Sequence, residues 1–81
     1  MTETNMACDH KKVLELAQEG KWEESHAMVQ VHGDELSCQI HGYLHRVEGD
    51  LDNARYWYSR GNMRLPTNTL EQEYARLYTQ L

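Results

Sequence analysis

The stretch Asp34-Glu-Leu-Ser-Cys-Gln-Ile-His41-Gly-Tyr-Leu-His45-Arg-Val-Glu-Gly49-Asp-Leu-Asp-Asn-Ala54-Arg-Tyr-Trp-Tyr58-Ser-Arg-Gly61 decides the fold. Asp34 can accept a hydrogen bond from a free amide of a first helical turn. Behind it Leu36, Ile40, Tyr43, Leu44 and Val47 follow at i, i+4, i+7, i+8 and i+11, which is one stripe of an α-helix. Gly49 stops that helix, and Asp50 caps the next, from Leu51 to about Asn62. A turn this short leaves the two helices antiparallel.

Working outward, the same punctuation divides the rest of the chain. A helix from about Asn5 to Glu19 carries Val13, Leu14 and Ala17 and ends at Gly20; a second, from Trp22 to about His32, places Trp22, Ser25, His26 and Val29 on one face. Beyond Gly61 a linker with the only proline, Pro66, leads to Asn68, whose spacing to Glu71 reads as a capping box with asparagine in place of serine or threonine. Leu70, Tyr74, Leu77, Tyr78 and Leu81 then form a further stripe. No segment alternates with period two, so no strand is expected. The fold class is all-α: five antiparallel helices in a single domain spanning residues 1–81.

Composition narrows the function classes. Thirteen acidic residues against eight basic ones give 81 residues a net charge of −5, which disfavours nucleic acid, whose binding comes largely from neutralising phosphates. Mean hydropathy is −0.84 and no apolar run approaches the ~18 residues of a membrane span. Met1 to His10 lacks the apolar core of an export signal, so a cytoplasmic location and no membrane partner are expected. Cys8 and Cys38 have no paired spacing and are expected to be reduced thiols. Every lysine lies at or before Lys21 and every arginine at or after Arg46. An anion-binding surface therefore belongs in the second half.

A repeat is also present. Gly20-Lys-Trp-Glu-Glu-Ser25 and Gly49-Asp-Leu-Asp-Asn-Ala54 share one device: glycine, a large apolar residue two positions on, and a small residue three further. From Gly42 the intervals are +7 to Gly49, +5 to Ala54, +4 to Tyr58 and +8 to Pro66. That spacing resembles the tetratricopeptide repeat, and Tyr56-Trp57-Tyr58-Ser59-Arg60-Gly61 is similar to the end of Sel1-type repeats. The domain divides into a degenerate repeat at about 5–33, a clear repeat at about 34–67 and a capping or interface helix at about 69–81. More narrowly, His41-x-x-Leu44-His45-Arg46-x-Glu48-Gly49-Asp50-x-x-Asn53-Ala54-x-Tyr56-Trp57-Tyr58-x-Arg60, with Trp22-x-x-x-His26-x-x-x-Gln30 upstream, resembles a family of small helical-repeat proteins of unassigned function. The resemblance implies a fragment of a right-handed α-solenoid that binds peptides or partner helices on its concave surface, where Gln39, Tyr43 and Arg46 stand. It implies no activity.

The repeat register places Cys38, His41, Gly42 and His45 against the fourth helix, facing Ala54 and Tyr58, and His26 and Gln30 share one face of the second helix. Two histidines are thus expected between helices, where each needs a hydrogen-bond partner or loses roughly 1 to 3 kcal/mol. Gln30, Glu48, Asn53, Tyr56 and Tyr58 are the candidates. The plain reading is a network that fixes helix register; the sharper one is a small-ligand or enzymatic pocket centred on His26, His41 and His45. Cys38, His41 and His45 spread over about 10 Å of rise on one helix, so no metal is expected on that set, and no cofactor. Neither a nucleophile motif nor a phosphate loop is present, so no catalytic residue is assigned.

Tyr56, Trp57 and Tyr58 occupy three faces of one helix. Tyr58 takes the packing position, which leaves Tyr56 and Trp57, with Arg60, to meet a ligand, a partner or water. The expected function is a non-enzymatic protein–protein interaction module. A homodimer through Leu70, Tyr74, Leu77, Tyr78 and Leu81 is expected, because a short solenoid cannot bury both faces alone.

Overall fold

The computed structural model describes residues 7–81, and within them the chain is all-α. Five helices run α1 His10–Gln18, α2 Trp22–Val29, α3 Glu35–Val47, α4 Leu51–Arg60 and α5 Leu70–Tyr78. No strand occurs among the described residues. The segment expected to begin at Asn5 starts instead at His10, because Asp9 accepts the Lys12 amide and caps the helix there; Asn5 itself lies outside the described residues.

Local chemistry sets the helix ends. Asp34 and Asp50 accept the amides of Ser37 and Asn53, as their spacing predicts. Gly20 and Gly49 close α1 and α3 at φ +78° and +84°, in the left-handed region that glycine enters without steric cost. The cap of α5 falls one residue later than the sequence suggests. Thr69, not Asn68, accepts the Gln72 amide, and the Gln72 side chain accepts the Thr69 amide, a full capping box. Asn68 is drawn instead to Arg46 and Glu73.

Each of the first four helices packs against its successor, whereas α5 packs on α3 and α1. Ser25 on α2 donates to the Val13 carbonyl of α1 at 2.8 Å, and Trp22 Nε1 donates to the Leu44 carbonyl of α3 at 2.7 Å. The α3–α4 pair is the tightest, because Gly42 lets the Tyr58 ring lie on the α3 backbone: a Cβ at residue 42 would stand 2.6 Å from a Tyr58 ring carbon. The core consists of Val13, Leu14, Val29, Ile40, Tyr43, Leu44, Ala54, Tyr58 and Leu77. Leu36 packs at its edge, whereas Val47, at the C-terminal end of the predicted stripe, is exposed.

The last helix turns back onto α3 and also touches α1, where Tyr74 donates its hydroxyl to the Leu14 carbonyl. Leu77 is fully buried in the core and Tyr74 packs against it. Of the stripe Leu70, Tyr74, Leu77, Tyr78 and Leu81, Leu77 and Tyr74 thus meet the chain's own core, and Leu70, Tyr78 and Leu81 are exposed. No helix among the described residues is long and apolar enough to cross a membrane.

Candidate functional site

Trp22 and His26, one turn apart on α2, stack at 4.7 Å and 10°. The Trp22–Leu44 hydrogen bond holds this pair against the C-terminal half of α3, where His41 and His45, also one turn apart, stack at 5.0 Å. His26 meets both edge-on, at 4.7 and 5.2 Å. From α4, Trp57 lies flat on His41, with ring centroids 3.8 Å apart and planes 13° apart. Three helices thus contribute one continuous cluster of five rings, and the two tryptophans restrict how the outer imidazoles can turn.

The polar contacts inside the cluster are few. His26 Nε2 and His41 Nε2 are 3.0 Å apart and share a hydrogen bond, and His45 Nδ1 donates to Glu48 Oε1 at 2.5 Å. His41 is 3 % exposed, and its Nδ1 has no partner among the described residues. Such an orphan costs about 1 to 3 kcal/mol. Burial, then the facing His26, His45 and Arg60, pushes the His41 pKa down to about 3, so the ring is uncharged at neutral pH. His26 is lowered too, by burial and by His45, with Glu48 working the other way.

Of the partners expected for these rings, Glu48 alone reaches one. Gln30 is exposed, Asn53 turns its amide to Asp50, Tyr56 accepts from Arg60, and Tyr58 donates to Glu73 at 2.7 Å. Gln30 and Asn53 are both exposed. The imidazoles do not surround a void: they pack on one another, and the surface depressions lined by Gly20–Glu24 and by residues from Arg55 to Leu65 contain no histidine.

The expected concave surface is also closed, by the chain itself. Arg46 donates to the side chain and carbonyl of Asn68. Gln39 donates to the Gly61 carbonyl and accepts from Arg76, and Tyr43 is buried beside Tyr74. These three residues hold α5 and the segment before it against α3.

Two polar centres escape sequence reasoning. Glu73, fully buried, accepts from Tyr58, Asn68 and Arg76. Burial alone would raise its pKa, but these donors, Arg76 foremost, hold it below the usual carboxylate value. Its i, i+3 spacing to Arg76 was the available signal. The other centre, Asp34–His10–Ser37, has the composition of a catalytic triad without its wiring. His10 uses the single nitrogen Nε2 toward both Asp34 and Ser37, and the Ser37 hydroxyl donates to Asp34 at 2.6 Å. A triad base needs one nitrogen for each partner, so this group ties α1 to the start of α3. Cys8 and Cys38 are free thiols whose pKa values burial raises, which makes them poor nucleophiles.

The Arg60 guanidinium lies 5.1 Å from the Trp57 ring and 5.9 Å from Tyr56, and donates to the Tyr56 hydroxyl. Both Arg60 and Tyr56 are exposed. Comparison with protein-family models, with curated proteins and with solved structures returned no match.

Proposed function

We propose that the chain is a non-enzymatic protein-interaction module, a tetratricopeptide-like helical repeat that receives a carboxylate-bearing segment of its partner on the outer face of α4. The observation that carries this reading is the state of Arg60: an exposed cation laid over two aromatic rings and paired with no carboxylate among the described residues. Tyrosine, tryptophan and arginine dominate the energetics of protein interfaces. Here they are already ordered, Tyr56 edge-on to Trp57 at 5.1 Å and Arg60 bonded to Tyr56, so little side-chain entropy remains to be lost on binding. Arg64 lines a neighbouring depression with Ser59, Met63 and Leu65, whereas Arg55 there is paired with Asp52; Arg60 and Arg64 together favour an acidic partner. The concave side of α3 is left out because α5 fills it.

A photoreactive amino acid at Asn53, one turn before Tyr56 and Trp57, tests this in cells. The expected result is a discrete crosslinked adduct that is lost on Arg60→Glu and absent when the probe stands at Val31, which is 75 % exposed on the other half of the chain. Identical adducts from both positions, or adducts that survive Arg60→Glu, would contradict the reading. A second reading, a ligand site at the histidines, is favoured by the unpaired Nδ1 of His41.

A further inference from the structure

We propose that His26, His41 and His45 form a three-imidazole site for a divalent first-row transition metal, shared between α2 and α3 and oriented by Glu48. One ring nitrogen from each histidine lies within 4.8 Å of the other two. Four-coordinate zinc with bonds of about 2.0 to 2.1 Å places its ligand atoms roughly 3.3 Å apart. The His26 Nε2 to His41 Nε2 separation, 3.0 Å, is already close to one edge of that tetrahedron, and His45, with a nitrogen within 4.8 Å of both rings, is the third ligand. The ion takes the place of the proton shared by these two nitrogens. That proton moves to Nδ1 of the same ring, so three neutral imidazoles become ligands without net proton release.

Glu48 supplies the second observation. Imidazoles that bind metals commonly donate their other nitrogen to a carboxylate, which fixes the tautomer and the ring orientation. His45 does this through Nδ1, leaving Nε2 for the ion. Moreover, His45, Glu48 and Asp50 bring their donor atoms within 4.8 Å of one another, placing negative charge beside the incoming cation, while the positive charge of Arg60 near His41 opposes it.

All-imidazole sets suit zinc, copper, nickel and cobalt rather than magnesium or calcium. Half-buried His26 forms the entry side, where solvent fills the fourth position. Cys38 stays outside: the spacing that excludes a site along α3 alone is met by His26 arriving from the next helix.

Chelator-stripped full-length chain titrated with cobalt(II), and with zinc(II) in competition, provides the test. The expected result is one ion per chain, with the intense visible bands of four-coordinate cobalt displaced by stoichiometric zinc. His26→Ala should lower zinc affinity at least tenfold, and Glu48→Gln, on a half-exposed side chain, by about 10- to 100-fold. Cys38→Ala and His32→Gln should bind as the parent does. Tryptophan near-ultraviolet dichroism checks that each variant is folded; should His26→Ala fail to fold, Glu48→Gln alone decides. Absence of saturable zinc binding, six-coordinate cobalt spectra, or affinity unchanged in Glu48→Gln would overturn the proposal. It stands apart from the α4 interaction face, since neither Arg60 nor Tyr56 is a ligand.

Discussion

At the scale of single residues, the chain spends its unusual side chains between α3 and its neighbours. Gly42 is required by its facing partner: with Tyr58 where it is, a methyl group at residue 42 must push the ring or the helix away. Gly42→Ala should therefore cost about 1 to 3 kcal/mol in urea melts despite alanine's better helix propensity. Outright stabilisation would mean that α3 and α4 are not this close. His41 carries a second prediction. Its ordinary value is 6.5 and its folded value about 3, so between these limits the unfolded chain binds a proton that the native ring refuses. In metal-free protein, stability should be complete above about pH 6.5 and fall as the solution is acidified, by up to about 1.4 kcal/mol per pH unit. His26, lowered in the same direction, adds to the trend. Asp34, held near 2 by hydrogen bonds from Ser37 and His10 against the opposing effect of burial, contributes only below its ordinary 3.8, so denaturant melts between about pH 4.5 and 7 report the imidazoles. A flat or rising profile on acidification would place the histidines in water or against carboxylates.

At the scale of helices, stop and cap signals were legible because they act within a few residues. Asp34 and Asp50 cap as read, and the Gly49 turn makes the α3–α4 hairpin. What the periodicity of α5 could not disclose is which structure would cover its stripe. Leu70 and Leu77 look equivalent on a helical wheel, yet one is exposed and the other wholly buried, because α5 crosses α3 at an angle fixed by distant contacts: Arg46 to Asn68, Gln39 to Arg76, Tyr43 beside Tyr74. The histidine cluster was half legible for the same reason. His41 and His45 follow from the register of one helix, and His26 from its own, but the orientation of His26 depends on Trp22 bonding to Leu44. Glu73 was missed because a carboxylate on the edge of an apolar stripe reads as solvated until its donors, Tyr58 and Asn68, arrive from elsewhere. Leu77→Ala should cost roughly 2 to 5 kcal/mol, whereas Leu70→Ala should change stability by about 0.5 kcal/mol or less. Equal effects would show that α5 is not seated on α3.

At the scale of the whole molecule, α5 decides how much apolar surface is left for another chain. With Leu77 and Tyr74 turned inward, the remaining Leu70, Tyr78 and Leu81 make a small patch, and light scattering at micromolar concentration should give a mass near 9.5 kDa, unchanged by Tyr78→Lys. A mass twice that value, halved by the substitution, would restore the dimer expected from the stripe. The more demanding requirement is that α2 and α4 both close on α3 at His41, since only then do His26, His41 and Trp57 meet. Nitrogen-15 NMR of the histidine side chains tests this most directly. The expected result is a scalar coupling between His26 and His41 Nε2 across their hydrogen bond, with the His41 ring remaining neutral as the pH falls through 6.5 and His26 taking up its proton below that value. Two uncoupled imidazoles that both titrate near 6.5 would contradict the assembly described here.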